Sequence, residues 1–455
     1  ATKLAAAADA PATPHQSREM AKTRDLMMRF IDQSRISSTD QDGTAIKVAA
    51  AEGFARLATP ADAALARQWI ADNRWAAPGA PVITITSKNA LTMTAALVLK
   101  RFGTAEDIPL LEAITAKLDD YSHYQVPLHN ALVDALGALY AQAGVTQVRA
   151  AAIRAANLSG VDDNSRDMKA AIGRALGRIG YPADMDEAKG DAAGLAELYR
   201  RMGKADELRA AFYDTDRWNK LDSNAKIATF ELVADAPPTD KTFELIAESL
   251  RGKRSADRVA RYYAAQAWAT LVARGRRTKG LADAMAAYTK IHGINAYEDQ
   301  YAVLYAYVLA AEQAGGPELL APLEKLMEFN PGGISSNHEQ MYFSTPEAWA
   351  KTLIRNGKFG EYAARTLGAD GAPQPSRLEQ MLIDKDHPMM AAAALRAIAL
   401  ARDPSFKPKE AAGNETDVPA IDPGTPSSGY HGGYMFGQRH DSLMRRFDGG
   451  MMPPY

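Results

Sequence analysis

One short pattern recurs through the first 184 residues and restricts the chain to very few architectures. In IKVAAAEGFARLATPAD (46–62), LTMTAALVLKRFGTAEDIPLLEAI (91–114), LHNALVDALGALYAQAG (128–144) and DMKAAIGRALGRIGYPAD (167–184), small residues share one helix face and a large apolar residue closes the helix. A turn with Gly, Thr or Pro follows. Aligned on Phe102, Leu139 and Ile179, the units recur at about 37 and 40 residues, close to the period of helix-pair repeats. Ala and Gly let neighbouring helices approach closely, and one helix pair cannot bury its apolar face without its neighbours. The pattern therefore predicts an all-α array of stacked helix pairs, an α-solenoid.

Helical spacing of apolar residues continues from Gln16 to Arg402, with almost no strict alternation, so helix is predicted throughout. Weaker copies of the pattern lie at 257–275 and 389–404. The β-like run Val82-Ile83-Thr84-Ile85-Thr86 is expected to be an extended connection or short strand, too isolated to build a sheet. Helix starts are predicted where an oxygen-bearing cap precedes Pro or a first-turn acid: Thr59-Pro60-Ala61-Asp62, Thr104-Ala105-Glu106-Asp107, Asn295-Ala296-Tyr297-Glu298, Thr345-Pro346 and Ser376-Arg377-Leu378-Glu379. Stops are expected at Gly103, Gly144, Gly180, Gly275, Gly315-Gly316 and Gly357.

Composition removes several function classes. A hydrophobic share of 47% and a charged share of 24% over 455 residues suit a folded chain. A net charge of −2 supplies no field for a polyanion, so nucleic acid is not the expected partner. The absence of cysteine excludes disulfides, thiolate metal sites and cysteine nucleophiles. The longest nearly uncharged apolar run, Tyr301 to Ala311, is about half the roughly 20 residues a bilayer requires, so no transmembrane segment is expected. Residues 1–15 begin ATKLAAAADAPATP, a small-residue, Pro-containing leader of the kind found after a signal-peptidase site, which points to an exported, periplasmic or cell-surface chain. Methionine removal before Ala1 gives the same start, and a cytoplasmic location stays open.

The segment Lys169-Ala170-Ala171-Ile172-Gly173-Arg174-Ala175-Leu176-Gly177-Arg178-Ile179-Gly180 resembles the HEAT-repeat superfamily, especially bacterial HEAT-like units related to phycobilisome-lyase repeats. Their first helix commonly reads as a basic residue, small residues and then A-L-G-x-I-G. The resemblance is good over about 46–182 and thinner to about 402. It implies a superhelix of stacked helix pairs that binds partners, and it brings no catalytic residues with it. We divide the chain into an extended leader (1–15), HEAT-like repeats (16–182), further divergent helical repeats (183–403) and an irregular tail (404–455). Between about Met185 and Ser255 the pattern is loose enough to admit other helical-hairpin packing.

From Pro404 the helical pattern gives way to Pro, Gly and Ser, which favour extended and turn conformations. The tail nevertheless carries Tyr430, Tyr434, Met435, Phe436, Arg445, Arg446, Phe447 and Tyr455, more adhesive side chains than an inert linker requires. These are the candidate partner-binding residues. A second candidate is the most basic and aromatic local cluster, Arg258, Arg261, Tyr262 and Trp268 with Tyr263, Arg274, Arg276 and Arg277, which suits an acidic partner or a glycan. Its plainer reading is core aromatics beside a solvated arginine stripe, part of which neutralises helix carbonyl ends.

No phosphate-binding glycine loop, H-E-x-x-H, G-x-S-x-G or kinase signature occurs. Weak matches have ordinary explanations. Asp40-Gln41-Asp42-Gly43 opens like a calcium loop but has no acid at the twelfth position, and fits a polar turn capping a helix from Thr44. Ser223-Asn224-Ala225-Lys226 matches S-x-x-K without its companion motifs and fits a helix N-cap. His123 and His129 flank Pro127, which interrupts a continuous helix, so they have no assured common face. No catalytic, cofactor or metal residue is assigned. The leading expectation is a non-catalytic interaction scaffold, or a structural subunit of an extracytoplasmic assembly, engaging protein partners or other copies of itself. Two alternatives stay open. One is a helical-repeat enzyme or enzyme accessory, lyase-like or glycan-active, using acids such as Glu298, Asp299, Glu339 and Glu347. The other is a metal-handling protein using His431, His440 and the tail methionines as soft ligands.

Overall fold

A computed structural model describes residues 14–32, 41–72, 87–115, 126–144, 146–148, 150–152, 171–173, 175–176, 192–254, 258–292, 298–328, 339–368, 371–384, 386–408, 416–419 and 421. Residues 1–13 of the leader, Val82–Thr86, Gly180, Asn295 and His123 lie outside them, while Pro14 and His15, the last two leader residues, open the first helix. Nineteen α-helices have both ends among the described residues, 146–148, 150–152, 171–173 and 175–176 are helical too, and a single hairpin there pairs Thr366–Leu367 against Pro373–Gln374. The fold is all-α.

The first helices are α1 (Pro14–Asp32), α2 (Gln41–Arg56), α3 (Asp62–Asp72), α4 (Ser87–Phe102), α5 (Ile108–Thr115) and α6 (Val126–Ala143). After the intervening segment come α7 (Ala192–Arg201), α8 (Ala205–Tyr213), α9 (Thr215–Lys220), α10 (Ser223–Ala234), α11 (Asp240–Leu250) and α12 (Arg258–Arg274). The last set is α13 (Leu281–His292), α14 (Glu298–Ala314), α15 (Leu320–Met327), α16 (Glu339–Arg355), α17 (Phe359–Ala363), α18 (Arg377–Ile383) and α19 (Pro388–Arg402).

Most of these alternate between two roles. The longer members, α2, α4, α6, α10, α12, α14, α16 and α19, pack side by side in one layer and are buried over most of their surface. The shorter α3, α5, α11, α13, α15 and α18 each pack on the long helix that follows. In α3 burial is confined to Asp62, Ala63, Ala66 and Ile70, the one-sided pattern of an outer helix. One apolar core runs from Met27 to Ile421, and a small satellite forms around Leu195, Leu208 and Leu232.

Neighbours in the long layer are usually successive pairs in the chain, with one exception. The last helix, α19, packs on α2 as well as on α16. End repeats of a stacked array expose an apolar face that must be covered, and here the two ends cover each other. The approach is close because the facing residues are small: a methyl group on Gly53 would lie 2.9 Å from Met27 Sδ and 3.2 Å from Ala399 Cβ.

Local signals explain most helix boundaries. Ser376 and Glu379 form a reciprocal capping box at α18. The repeated Thr-x-x-Asp turns fold alike, with Thr59 N–H donating to Asp62 at 2.7 Å and Thr104 N–H to Asp107 at 2.8 Å. Gly144 and Gly357 end their helices at φ of 86° and 65°, where only glycine rests without cost.

Four expectations need correction. Thr345-Pro346 is not a helix start, since α16 begins at Glu339 and holds Pro346 in its interior. The flanking Ser344, Thr345 and Ala348 are buried, so packing outweighs the amide that Pro346 cannot donate. Helix α2 begins at Gln41 and not Thr44, so Asp42 and Gly43 belong to its first turn and form no loop. The cap of α10 is Asp222, one residue before Ser223, accepting from Ala225 N at 2.7 Å. Pro127 is the second residue of α6, where its missing N–H has no intrahelical partner to lose, so it opens the helix and does not break it.

Candidate functional site

Buried charge concentrates where α2, α14, α16 and α19 meet. Glu312 of α14 accepts from Lys351 of α16 at 2.7 Å, and Lys351 lies 3.1 Å from Glu347. Glu347 pairs with Arg396 of α19 at 3.1 Å, and Arg396 donates to Glu52 of α2 at 2.7 Å. Each of these side chains is at least four-fifths buried. Signs alternate along the row, which is the arrangement that lets buried charges persist. Two further pairs flank it, Arg56 with Asp403 at 3.2 Å and Lys100 with Asp134 at 3.3 Å.

The electrostatics are those of a lock. Burial works against ionisation of Glu347, but Lys351, Arg396 and Arg56 outweigh it and hold the carboxyl down at about 2. Burial also works against the charge of Lys351, while Glu312 and Glu347 outweigh it and raise its pKa above the ordinary lysine value. Both groups are thus fixed in their charged forms around neutrality.

A cleft of about 100 Å³ opens beside this row, lined by Glu52, Ala55, Arg56, Leu97, Lys100, Arg101, Asp403 and Ser405. Its rim is rigidly set: Ser405 donates to Asp403 through both its N–H, at 2.9 Å, and its hydroxyl, at 2.6 Å, and Arg56 lies over the ring of Phe406. The volume suits a few water molecules or a small ion.

A set of arginines caps neighbouring helices, whereas the sequence suggested helix-end neutralisation only for part of the stripe that includes Arg274. Arg101, in the last turn of α4, donates to the carbonyls of Ala55 and Arg56 at the end of α2, at 2.6 and 2.7 Å. Arg274, ending α12, donates to Ala234 O at the end of α10 at 2.5 Å. Arg355, ending α16, donates to Ala311 O at 3.2 Å and to Glu312 O in α14. Each bond spans 40 to 46 residues of chain, and each cation meets the negative end of a helix dipole. The signal in the sequence was a basic residue in the last turn of the long helix, as in Arg101-Phe102, Arg274-Gly275 and Arg355-Asn356. A parallel relationship links outer elements: Arg67 of α3 grips Asp107 at 2.6 and 2.9 Å, and Arg24 of α1 grips Asp62.

The aromatic members of the predicted basic cluster are core side chains. Tyr262 and Trp268 are 6% and 0% exposed, with their rings edge-on to Tyr305 and Tyr307 at 5.8 and 5.4 Å. They provide no surface platform, because the small residues around them on α12 draw α14 in against that face. Arg261 is half-buried, close beside Gly252. Arg277 pairs with Asp240 at 2.9 Å and lies over Phe243, while Arg274 is the helix cap just described. Of the acids proposed for a groove, Glu347 belongs to the buried row, and the side chains of Glu298, Asp299 and Glu339 lie outside the described residues, as does that of Arg258. His129 is buried on α6. Among the described residues no group of three or more His, Asp or Glu could hold a metal ion, and no helix is long and apolar enough to cross a membrane.

Tyr430, Tyr434, Met435, Phe436, Arg445, Arg446, Phe447 and Tyr455 lie outside the described residues, but the root of the tail does not. Lys279, in the turn between α12 and α13, donates its N–H to Thr416 O at 3.1 Å and accepts from Val418 N at 2.8 Å, a one-residue parallel bridge to Asp417. Ile421 is 4% exposed within the main core, and its backbone is hydrogen-bonded to the Tyr307 hydroxyl of α14. No family model, no curated protein and no solved structure matches this chain.

Proposed function

We propose that the protein is a non-catalytic interaction scaffold, a HEAT-like α-solenoid in an extracytoplasmic assembly, whose C-terminal tail docks on a partner or a neighbouring copy. The observation that carries this reading is the seating of Thr416–Val418 and Ile421 on the helical layer. It gives the following segment, with its tyrosines, phenylalanines and methionines, a fixed point of departure. The back-capping arginines, forty-odd residues from their acceptors, support the repeat character. The charge row favours structure over chemistry: a general acid or base works best with a pKa near the working pH, and Glu347, held at about 2, is far from it.

Co-purification from the native extract tests the proposal. A defined complex is expected with the full chain, together with protection of the tail from protease. A chain that stays monomeric, retains nothing specific and loses its tail to protease in that extract contradicts it.

A further inference from the structure

We propose that the α12–α13 turn is a docking site for an extended peptide, filled here by the chain's own Thr416–Ile421, and that a second copy supplies the same segment in exchange. This deepens the reading of the tail as the element that engages other molecules, and it rests on that reading.

The site is formed by its own turn. Arg276 adopts φ 51° and Gly280 φ 78°, and Thr278 between them is 1% exposed. Lys279 is thereby held with both its N–H and its carbonyl available to a passing strand. Recognition through backbone groups, with side chains seated at intervals, is how an extended peptide is commonly bound. The two seats are filled by Val418, half-buried against the core, and by Ile421, buried in the main core with its backbone hydrogen-bonded to the Tyr307 hydroxyl. Thr416 adds a hydroxyl contact to Arg276 O at 3.4 Å, and Asp417 lies 3.4 Å from the Lys279 ammonium.

None of these contacts depends on the peptide belonging to the same chain. The hydroxyl contact joins residues 140 apart in sequence, and the Lys279–Asp417 ion pair is more than half exposed on both sides, so it contributes little to permanence. A short tether holds the chain's own segment at an effective concentration in the range of about a millimolar, which a crowded or assembled neighbour can match. A second copy is the favoured occupant, because it carries the very sequence the site fits. Exchange of an identical element is also an inexpensive route to association.

The absence of cysteine makes a clean test possible. A full-length Lys279→Cys chain is mixed with a full-length, mass-tagged Asp417→Cys chain under mild oxidation, and the Lys279→Cys/Asp417→Cys double variant is oxidised separately. Bridge partners in a ladder sit within disulfide reach. The double variant is expected to close within one chain. The mixed pair is expected to give a tagged heterodimer whose yield rises with concentration and falls at least several-fold when the donor chain also carries Ile421→Asp. Closure of the double variant with no heterodimer at any concentration overturns the exchange while leaving the seated tail intact. A heterodimer insensitive to Ile421→Asp is collisional and overturns it too. Failure of the double variant to close overturns the docking itself, whereas loss of the partner reading would show only in co-purification.

Discussion

Arg396, on the last helix, donates to Glu52, on the second, across 2.7 Å and 344 residues of chain. This contact joins the first and the last long helix in chain order, and around it lie Glu347, Lys351 and Glu312 in an unbroken row of alternating charge.

Removing Arg396 should therefore cost much more than a surface ion pair. Arg396→Met leaves the Glu52 carboxylate in a buried setting without this partner and takes one of two from Glu347, a loss of about 3–5 kcal/mol. Equilibrium urea denaturation measures it. Arg396→Met/Glu52→Leu should recover part of the loss, because buried charge without a partner is the costly state. A single variant within about 0.5 kcal/mol of the parent would mean the pair holds nothing.

The back-capping arginines give a second expectation. Arg355→Met removes a charged donor from Ala311 and Glu312 carbonyls and should cost about 1.5–3 kcal/mol. Arg355→Lys should restore only part, since an ammonium lacks the planar fork that spans two carbonyls. Full rescue by lysine would reduce the role to charge alone.

Much of this fold was legible along the chain, because caps and glycine stops act over three or four residues. Ser376 with Glu379, Thr104 with Asp107 and Gly144 are each read from neighbours in sequence. What was not legible depends on partners far away. Pro346 reads as a helix start until the packing around Ser344 and Ala348 is known. Tyr262 and Trp268 read either as a binding surface or as a core face beside their arginines, and only α14 decides for the core. The closure of α19 on α2 has no local signature, since the same alanine-rich faces that stack successive pairs also fit the two ends together.

Glycine substitutions separate close packing from mere helix preference. Gly53→Ala forces a methyl against Met27 and Ala399 and should destabilise by about 1–3 kcal/mol. Gly360→Ala in α17 meets nothing within 4 Å and should stabilise by up to about 1 kcal/mol through helix propensity. Thermal unfolding of the two variants should shift in opposite directions. A shift of the same sign in both would undo the argument that Gly53 sets the seam.

Stability should fall at both ends of the pH scale, for different groups. Glu347 has its folded value depressed to about 2, below an ordinary glutamate near ~4.3. Its contribution is present above the unfolded value and is lost as pH falls from about 4 through 2. Lys351 has its folded value raised, so its contribution is present below the unfolded value, near ~10.4, and is lost as pH rises beyond that through the folded one. Urea midpoints across pH should plateau between these limits. Glu347→Gln, although less stable throughout, should show a shallower acid limb, and an unchanged limb would remove Glu347 as its source.

The most direct test of the interaction reading is native mass spectrometry of the full-length protein isolated from its source, beside a variant with Tyr430, Tyr434, Phe436 and Phe447 replaced by serine and Ile421 by aspartate. The parent is expected to be a discrete assembly of fixed stoichiometry, and the variant a monomer with unchanged helical content. A parent that flies as a monomer, or a variant that assembles as the parent does, contradicts it.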